Sequence, residues 1–593
     1  MTMVQKTQAL ELEDYLGDPF DSRNVFSFRT AVEMDELEAY PEAACNMLND
    51  WGLPAYYVPA KLGGKFTSFE QVLNLMRVVA RRDLTAAIAH GKTYLGAVAV
   101  WMAASVEQQS KLARIILDRG QVSLGLTEQG HGSDLMASDV EVRHEGEKYR
   151  LYGRKWLINN ATRSRALTVF TRTDPQGGPR GFSLLLVDKA EIDRRQYSLV
   201  PKIKTHGIRG ADISGIQFSG CSISPDAFIG KIGSGLDITL KALQVTRTMC
   251  SALSLGAADT ALRITLDFAQ QRRIYNNTVV DIPYPRQLLL ESFLDLLVCD
   301  CTAVGGARAL HVAPEQMSVW SAVVKNFVPV TVETLIQQLS RVLGARFYLR
   351  EDHCAGMFQK IVRDNAIVSL FDGSTAVNLE MIALQLRRRL RENPATNTRE
   401  TPEDKLSTIF NIAEPLPEFI YEAFDLSCPG ADPVFSTLSR INNQLEAFWA
   451  AAPDGVANAL KSLVTELQGA VSALRTEVEA AWKSNALGTR PSARLFRLAQ
   501  RYSTLHAAAS CLHLWTRSRE HLDPFFSDGI WLILALRRLL GSSAIVTDDA
   551  TVAKWEGQVF DELLKLHRDN RLFAVTTLAL SPRELVGKVS IQQ

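Results

Sequence analysis

The sequence predicts an α+β protein that is mostly helical, with a helix bundle, a small β-domain, a second helix bundle and a C-terminal helical domain. Apolar residues recur at three- and four-residue spacing at the N-terminus and again after residue 232, which is typical of amphipathic helices. Between these regions they alternate in short runs separated by Gly, Pro and Asp, which indicates strands. The predicted units are 1–120, 121–231 and 232–390, then a linker over 391–435 and a helical extension over 436–593.

Each predicted unit has a characteristic stretch. The first contains the helical run SFEQVLNLMRVVARRD (68–83), and the second contains the strand-like runs KYRLYGRKWLI (148–158) and GFSLLLVD (181–188). The third contains a long helical pattern over 237–273. The polar, Pro-containing stretch RENPATNTRETPED (391–404) is typical of a linker, and helical periodicity resumes after it.

Composition excludes several classes of protein. Of the 593 residues, 46% are hydrophobic and 22% are charged, as in a soluble globular protein. Lys plus Arg equals Asp plus Glu, at 65 each, so no overall field favours nucleic acid or an anionic membrane. We find no run of 18 uncharged apolar residues and no signal-peptide core at the start, so neither a membrane span nor secretion is expected.

The cysteines indicate neither a metal site nor a disulfide framework. The eight are scattered, and the nearest two, Cys299 and Cys301, lie in an apolar run. We therefore predict small buried hydrophobes in a reducing compartment, taken to be the cytoplasm, and no bound metal. HExxH, P-loop and G-x-S-x-G motifs are absent, and the glycines of GKIGSGLD (230–237) are interpreted as a turn before a helix.

One carboxylate stands apart in the third unit. Asp372 follows the apolar pair Leu370 and Phe371 and precedes a Gly-Ser-Thr turn and an apolar helical run. An acid in this place either accepts backbone N–H groups at a helix start or acts as a base in a dry pocket. The residues by themselves leave both interpretations open.

Five stretches together resemble the acyl-CoA dehydrogenase family, in order and in spacing, over about residues 30–390. The long helical extension makes the very-long-chain members of that family the nearest in architecture. The stretches are LGLTEQGHGSD (124–134), HGIRGADISGIQFSGCSIS (206–224), VTRTMCSALSLGAA (245–258), QQRRIY (270–275) with Gln287 beyond it, and RDNAIVSLFDGST (363–375).

The resemblance implies FAD-dependent α,β-dehydrogenation of an acyl thioester, carried by coenzyme A or by a carrier protein. Asp372 then occupies the position of the catalytic base, which we expect to be ionised yet poorly solvated, with its basicity raised. Most of the family has Glu there. An oxidase of the same fold, resembling the nitroalkane oxidases in using Asp, is therefore an alternative. A redox-inert interaction protein is a second.

The resemblance also implies the FAD contacts. Leu157, Ile158 and Asn159 match a Trp-Ile-Thr sequence, so the aromatic residue has moved one place to Trp156, where alternation along a strand would point it to the other face. At RVLGARFYL (341–349), Phe347 replaces a glycine and needs more room than the adenine-side turn normally leaves. The implied cofactor contacts are Leu124, Leu126, Thr127, Gly132, Ser133, Leu157, Ile158, Asn159, Arg272, Tyr275, Gln287, Gly344 and Ser374.

Substrate contacts and partners follow from the same resemblance. Ser133, Arg247, Phe371 and Gly373 are implied on the substrate side, and Arg272 is expected to reach the flavin pyrophosphate of a neighbouring subunit. We expect an electron-accepting flavoprotein as partner and a homodimer in which the extension covers the surface that smaller members use to form tetramers. The run of seven apolar residues in 528–543 is too short to span a bilayer, so we expect it to be buried rather than bound to a membrane surface.

Overall fold

The computed structural model describes residues 3–146, 148–391, 401–451, 454–484, 491–541 and 549–581. It confirms the predicted α+β, mostly helical fold. The N-terminal part is a set of helices, most of them with a side-chain N-cap. They are α1 (Met3–Leu16), α2 (Phe28–Glu36), α3 (Glu42–Trp51), α4 (Phe69–Arg82), α5 (Leu84–Ala103) and α6 (Val106–Leu117).

Helix α5 lies in the interior of the molecule. It begins at Asp83, whose carboxylate accepts the N–H of Thr85 at 2.9 Å, and it is buried along nearly its whole length. Its Gly96 packs against the next unit so closely that a Cβ there would lie 2.8 Å from the backbone of Ser123. The carbonyl of Gly96 also accepts the hydroxyl of Thr168 at 2.7 Å. Helix α5 is thereby fixed against the β-domain.

The middle part is one twisted sheet with its own small apolar core. Strands β6, β7, β3, β2, β4, β5 and β8 are neighbours in that order, and β1 pairs in parallel with β4. Inward-facing residues such as Leu151, Leu167 and Phe218 fill the core of this unit. The strands are β1 (Val122–Gly125), β2 (Glu141–Glu145), β3 (Lys148–Asn159), β4 (Ala166–Arg172), β5 (Phe182–Asp188), β6 (Tyr197–Val200), β7 (Ile213–Ile223) and β8 (Phe228–Ile229).

Long helices return after the sheet. The segment Pro314–Tyr348 is long and apolar enough to cross a membrane by length and composition, but 78% of its most apolar window is buried inside the protein, as in a core helix. A short hairpin, β9 (Arg273–Ile274) and β10 (Asn277–Thr278), interrupts the series. The helices are α7 (Gly235–Met249), α8 (Ser251–Gln271), α9 (Pro283–Val312), α10 (Met317–Leu343), α11 (Met357–Asn365) and α12 (Thr375–Arg389).

The C-terminal extension is also helical. Within the apolar run noted above, Trp531 to Leu536 are buried, and Arg538 just beyond them pairs with Asp295 of α9 at 2.7 Å. The extension therefore packs onto the long helices before it. Its helices are α13 (Pro402–Phe410), α14 (Pro433–Ser436), α15 (Ile441–Gln444), α16 (Glu446–Ala451), α17 (Asp454–Ser484), α18 (Ala493–Ser518), α19 (Pro524–Ser527), α20 (Ile530–Leu540) and α21 (Asp549–Arg568).

The segment 401–435, which we predicted as part of a polar linker, is packed rather than free. It contains α13, and its Phe410 lies so close to α9 that a Cβ on Gly305 would come within 2.6 Å of the ring. Buried Arg308 of α9 donates to the carbonyls of Ile409, Thr408, Asn411 and Glu414. The prediction missed this because the few deeply buried residues of the segment are scattered among prolines and polar residues. Residues 392–400 of the predicted linker lie outside the described ranges.

Candidate active site

The candidate site is built around the turn that leads into α12. Ser374 is the N-cap of this helix and accepts the N–H of Val377 at 3.5 Å. Asp372 lies two residues earlier, in the left-handed region with φ +54°, and Gly373 follows at φ +97°. A Cβ on Gly373 would lie 2.9 Å from Arg247 Nε, so this position requires glycine. The helix-start role therefore belongs to Ser374, and the Asp372 carboxylate is directed elsewhere.

Two donors from different helices meet at the Asp372 carboxylate. Lys92 of α5 donates its ammonium to Oδ2 at 2.7 Å, and the thiol of Cys250, between α7 and α8, donates to the same oxygen at 3.4 Å. Arg247 of α7 donates Nε to the backbone carbonyl of Asp372 at 3.1 Å. Arg247 is buried, so in this structure it holds the backbone of Asp372.

A second buried lysine, on another helix, holds the same turn. Lys325 of α10 donates to the carbonyls of Val368 at 2.6 Å and Gly373 at 3.2 Å. Its ammonium lies 5.4 Å from the centre of the Phe371 ring, and that of Lys92 lies 3.7 Å from it. Three buried cations, Lys92, Arg247 and Lys325, therefore contact the turn that carries the Asp372 carboxylate.

The electrostatics correct our expectation about the base. Burial alone would raise the pKa of Asp372, but the ammonium of Lys92, with a smaller contribution from Lys325, lowers that pKa below its ordinary value. The expectation of raised basicity was wrong because it considered burial without a buried partner. Burial also raises the pKa of Cys250 to about 12 and lowers the pKa of Arg247 to about 10. The carboxylate is ionised and the thiol is protonated at neutral pH.

An apolar cavity opens beside the carboxylate. It has a volume of about 60 Å³ and lies between α4, α5 and the junction of α7 and α8. Its lining is mostly apolar with a few polar groups, as is usual for a small-molecule site. Residues that line it include Tyr57, Met76, Lys92, Cys250, Leu253 and Asp372.

The residues predicted to contact the flavin ring lie together where β1 and β3 end. Ser123 of β1 donates its hydroxyl to the carbonyl of Asn159 at 2.7 Å, and the N–H of Trp156 donates to the carbonyl of Thr127 at 2.9 Å. Asn160 then donates its amide to the carbonyl of Ala89 in α5 at 2.6 Å. Ala89 is less than one helical turn from Lys92, so α5 connects the strand ends to Asp372.

Strand β3 has a bulge next to Trp156, the aromatic residue that is shifted by one place. Its register with β7 changes between Lys155 and Ile158, and Leu157 takes a left-handed φ of +54°. Leu157 is 37% exposed, whereas Trp156 is half-buried and Ile158 is buried. The bulge therefore places Leu157 at the surface, and simple alternation along the strand did not predict this.

These residues fit a flavin ring in their chemistry. Leu126 is half-buried and Leu157 is exposed, so both offer apolar surface, and Thr127 and Ser133 in the same loop carry hydroxyl groups that are not buried. At Gly132, which is exposed, nothing lies within 4 Å of an added Cβ, so backbone N–H groups there are accessible. Apolar contact for the ring and donors for its polar edge are what the cofactor needs from the protein. Leu124 is half-buried in β1 just before them.

A buried ion pair that the sequence analysis missed anchors this loop. Lys155 of β3 donates its ammonium to Glu128 at 2.6 Å and to the carbonyl of Leu126 at 3.1 Å. The Glu128 carboxylate also accepts the N–H of Asp139 at 2.7 Å. Burial lowers the pKa of Lys155 to about 8, and Glu128 opposes that shift. Both residues lie inside quoted motifs, but their pairing depends on the fold.

Arg272, Tyr275 and Gln287 are not brought to the same site. All three are exposed, and Tyr275 is 91% exposed. Helix α8 begins next to Cys250 and ends just before Arg272, and 21 helical residues span about 30 Å. Within one chain, Arg272 is therefore far from Asp372, as expected of a residue that serves a neighbouring subunit.

The adenine-side segment differs from the expected turn. Gly344 begins a 3₁₀ turn that runs to Tyr348, with an exposed Gly344 at φ +60°. Phe347 is half-buried and packs edge-on against Phe358 of α11, while Tyr348 is 80% exposed. The Phe347 ring is thus accommodated by packing against α11.

Lys92 and Lys325 are the functional candidates that the sequence analysis did not single out. Each is a lone basic residue in a long apolar stretch, LTAAIAHGKTYLGAVAVWMA for the first and MSVWSAVVKNFVPV for the second. An unpaired charge is costly in a protein interior, so a lone lysine on a buried helix predicts a buried partner. The pattern carries that signal, but it does not identify Asp372 as the partner.

Comparison with known proteins gives the class of the fold and site. Residues 123–221 match the family model of the acyl-CoA dehydrogenase middle domain, and residues 233–386 match that of the acyl-CoA dehydrogenase C-terminal domain. The probable acyl-CoA dehydrogenase FadE25 of Mycobacterium tuberculosis is 24% identical over 359 residues, which are 60% of this chain and 90% of that protein. The human mitochondrial short-chain specific acyl-CoA dehydrogenase is 24% identical over 61% of this chain and 87% of its own.

A solved structure extends the likeness to the C-terminal region. The Bacillus anthracis acyl-CoA dehydrogenase complexed with FAD superposes with a TM-score of 0.72 at 15% identity, covering 96% of this chain and 95% of that one. The fold is therefore that of the acyl-CoA dehydrogenases. The chain thus matches two domain models of the acyl-CoA dehydrogenase family, and both relatives named above are acyl-CoA dehydrogenases. The predicted family, enzyme class and FAD cofactor are thereby confirmed.

Proposed function

We propose that this protein catalyses the FAD-dependent α,β-dehydrogenation of a short acyl-CoA thioester, with Asp372 as the base. The observation that carries the proposal is the ionised Asp372 carboxylate at the edge of an apolar cavity, fixed by Lys92 and adjoining the strand ends that suit a flavin ring. A base needs to be ionised, close to its substrate and shielded from water. Asp372 meets these conditions through burial and a buried cation.

The proposed step moves one proton onto this chain. The carboxylate of Asp372 takes the α-proton, and the electrons of that C–H bond form the α,β double bond while the β-hydrogen departs with its electron pair. FAD, when bound, supplies the acceptor for that hydride. Arg247 and Lys325 hold the backbone on either side of Asp372, so the carboxylate keeps its position during the transfer.

The size of the cavity supports a short acyl chain. Its volume of about 60 Å³ is well below the roughly 150 Å³ that holds a benzene molecule in a protein core. Tyr57 closes one side, with its hydroxyl 2.8 Å from His90 Nδ1, and Met76 packs beside it. A buried hydrogen bond therefore fixes the Tyr57 side of the cavity, so we expect this side not to move aside for a long acyl chain.

We expect acyl-CoA thioesters of about four carbons to bleach the flavin fastest, with rates that fall by about tenfold or more for long chains. The measurement is anaerobic flavin reduction with a series of straight-chain thioesters. Leu253→Ala, which removes a lining side chain, is expected to move the preference to longer chains. Leu255→Ala, on the same helix and buried away from the cavity, is the matched control. Fastest reduction by a long chain in the unmodified protein contradicts the size argument.

An oxidase of the same fold is the second candidate, because the base is Asp rather than the Glu found in most of the family. The same preparation separates the two in air. A dehydrogenase passes its electrons to an electron-accepting flavoprotein and releases little hydrogen peroxide, whereas an oxidase releases about one peroxide per turnover without any acceptor. Coenzyme A and carrier-protein thioesters of one acyl group, compared side by side, separate the two carriers.

We further propose a homodimer in which the C-terminal extension covers a surface of the long helices. Helix α18 packs on α9, α10 and α12, and Trp320 of α10 and Leu386 of α12 are fully buried. Arg272 and Tyr275 are exposed and therefore accessible to a neighbouring subunit. An extension that buries the α9–α12 surface leaves it closed to further copies of the chain.

Removal of the extension is expected to change the assembly. A chain that ends near residue 400 loses the cover over α9, α10 and α12, so it exposes a large apolar surface and forms tetramers or aggregates. Light scattering of the full chain should report two subunits. A full chain that runs as a tetramer, or a truncated chain that stays a stable dimer with an unchanged melting temperature, refutes this role of the extension.

A further inference from the structure

Lys92 is the one cation that touches the Asp372 side chain among the residues that the structure describes. Its ammonium lies 2.7 Å from Asp372 Oδ2 and 3.7 Å above the Phe371 ring, and its side chain is only 8% exposed. No other Lys, Arg, Asp or Glu occurs in α5. The single charged side chain of this apolar helix is therefore paired with the Asp372 turn.

The two oxygens of the Asp372 carboxylate differ in their hydrogen bonds. Lys92 and Cys250 both donate to Oδ2. In the described part of the chain, neither donates to Oδ1, and Oδ1 is not a buried atom without a partner. Asp372 also lines the cavity. One oxygen is therefore held by two donors, while the other is left without either of them beside the space proposed for a substrate.

We propose that Lys92 is the positioning residue of the reaction: its ammonium grips Asp372 by Oδ2 and leaves Oδ1 to take the α-proton. The proposal rests on the proposed function, because it concerns the same carboxylate. It also accounts for the shorter side chain. The Asp side chain is one methylene shorter than that of Glu, so a small misplacement of its carboxylate would slow proton transfer strongly. A cation bound to one oxygen fixes the orientation of the carboxylate and thus the position of the other oxygen.

The charged groups around Asp372 make the role testable by pH. Lys92 faces the carboxylate from α5, Cys250 and Arg247 from the α7–α8 junction, and Lys325 from α10. Glu333 of α10 lies near Lys325. Removal of Lys92 leaves burial as the largest influence on Asp372, and burial favours the protonated acid. The pH below which the base is inactive therefore moves upward when Lys92 is replaced.

The experiment compares Lys92→Met with Lys92→Arg in the full-length protein. Carboxyl-carbon NMR of ¹³C-Asp-labelled protein gives the Asp372 titration, with the resonance assigned by Asp372→Asn. We expect the midpoint to rise by about one unit or more in Lys92→Met, which is at least tenfold in proton affinity, and to stay within about half a unit in Lys92→Arg. An Asp372 midpoint that is the same in Lys92→Met and in the unmodified protein overturns the proposal.

Kinetics test the positioning itself. Above its new midpoint, Lys92→Met has an ionised base without its anchor, so kcat is expected to fall by about a hundredfold while KM changes little. A kcat equal to that of the unmodified protein at high pH overturns the positioning role even if the midpoint has moved. The titration needs no turnover, and the proposed function fails on a different result: an unmodified protein whose flavin no acyl thioester reduces.

Discussion

Replacement of Asp372 by Asn is expected to reduce flavin reduction by acyl thioesters by a factor of about 10² to 10⁴ or more, with FAD still bound. The amide keeps the volume of the side chain, but its nitrogen and oxygen cannot accept the α-proton as a base. The measurement is the rate of anaerobic flavin bleaching, together with exchange of the substrate α-proton with solvent. Activity at the level of the unmodified protein would place the base on another residue.

The substitution also leaves Lys92 without its charged partner, so stability and chemistry have to be separated. The double variant Asp372→Asn with Lys92→Met removes both charges of the pair and is expected to melt closer to the unmodified protein, yet to remain inactive. Asp372→Glu tests the fit of the turn. Because Lys92 already lies 2.7 Å from the Asp372 carboxylate, a longer side chain crowds the ammonium, and we expect a lower rate. A gain in rate contradicts that expectation.

Asp432→Asn is expected to destabilise the protein by about 3–5 kcal/mol, because it leaves the buried Arg389 guanidinium uncompensated. Arg389 Nη2 lies 3.1 Å from Asp432 Oδ2, and both side chains are fully buried. Trp320 donates its indole N–H to the same carboxylate at 3.2 Å, and Tyr502 donates its hydroxyl to it. This cluster joins α10 and α12 of the family fold to α14 and α18 of the extension.

A fall of about 10 °C in melting temperature is the expected size of this effect for domains of this length. Asp561→Asn, an exposed acid on α21, is the matched control and should change the free energy of unfolding by less than about 0.5 kcal/mol. The double variant Asp432→Asn with Arg389→Met should recover part of the loss. An Asp432→Asn protein as stable as the control shows that the cluster does not hold the extension.

The dependence on pH has a defined sign. Burial raises the pKa of Asp432, but Arg389 outweighs it and holds that pKa below its ordinary value. A lowered pKa in the folded state means that this carboxylate contributes stability above the ordinary Asp pKa of about 4 and loses it as the pH falls further. The difference in stability between the unmodified protein and Asp432→Asn should therefore shrink below pH 4.

The order of helical and strand-rich regions, and the isolated position of Asp372, could be read from the sequence because they depend on local patterns. Helical periodicity, strand alternation and five short motifs are properties of neighbouring residues, and Asp372 stands out as a lone acid between an apolar pair and a helix start. Ser374 could have been recognised as the cap from the same stretch, since Ser directly before a helical run is a favoured N-cap.

The electrostatic state of Asp372 was decided by tertiary structure. Lys92 and Asp372 are 280 residues apart, and only the packing of α5 against the turn brings their charges to 2.7 Å. The bulge at Leu157 and the cover provided by residues 401–435 likewise depend on partners distant in the chain. A sequence shows that a lone charge on a buried helix needs a partner, but which partner it meets, and in which direction a pKa then moves, is fixed by distances that exist only in the folded protein.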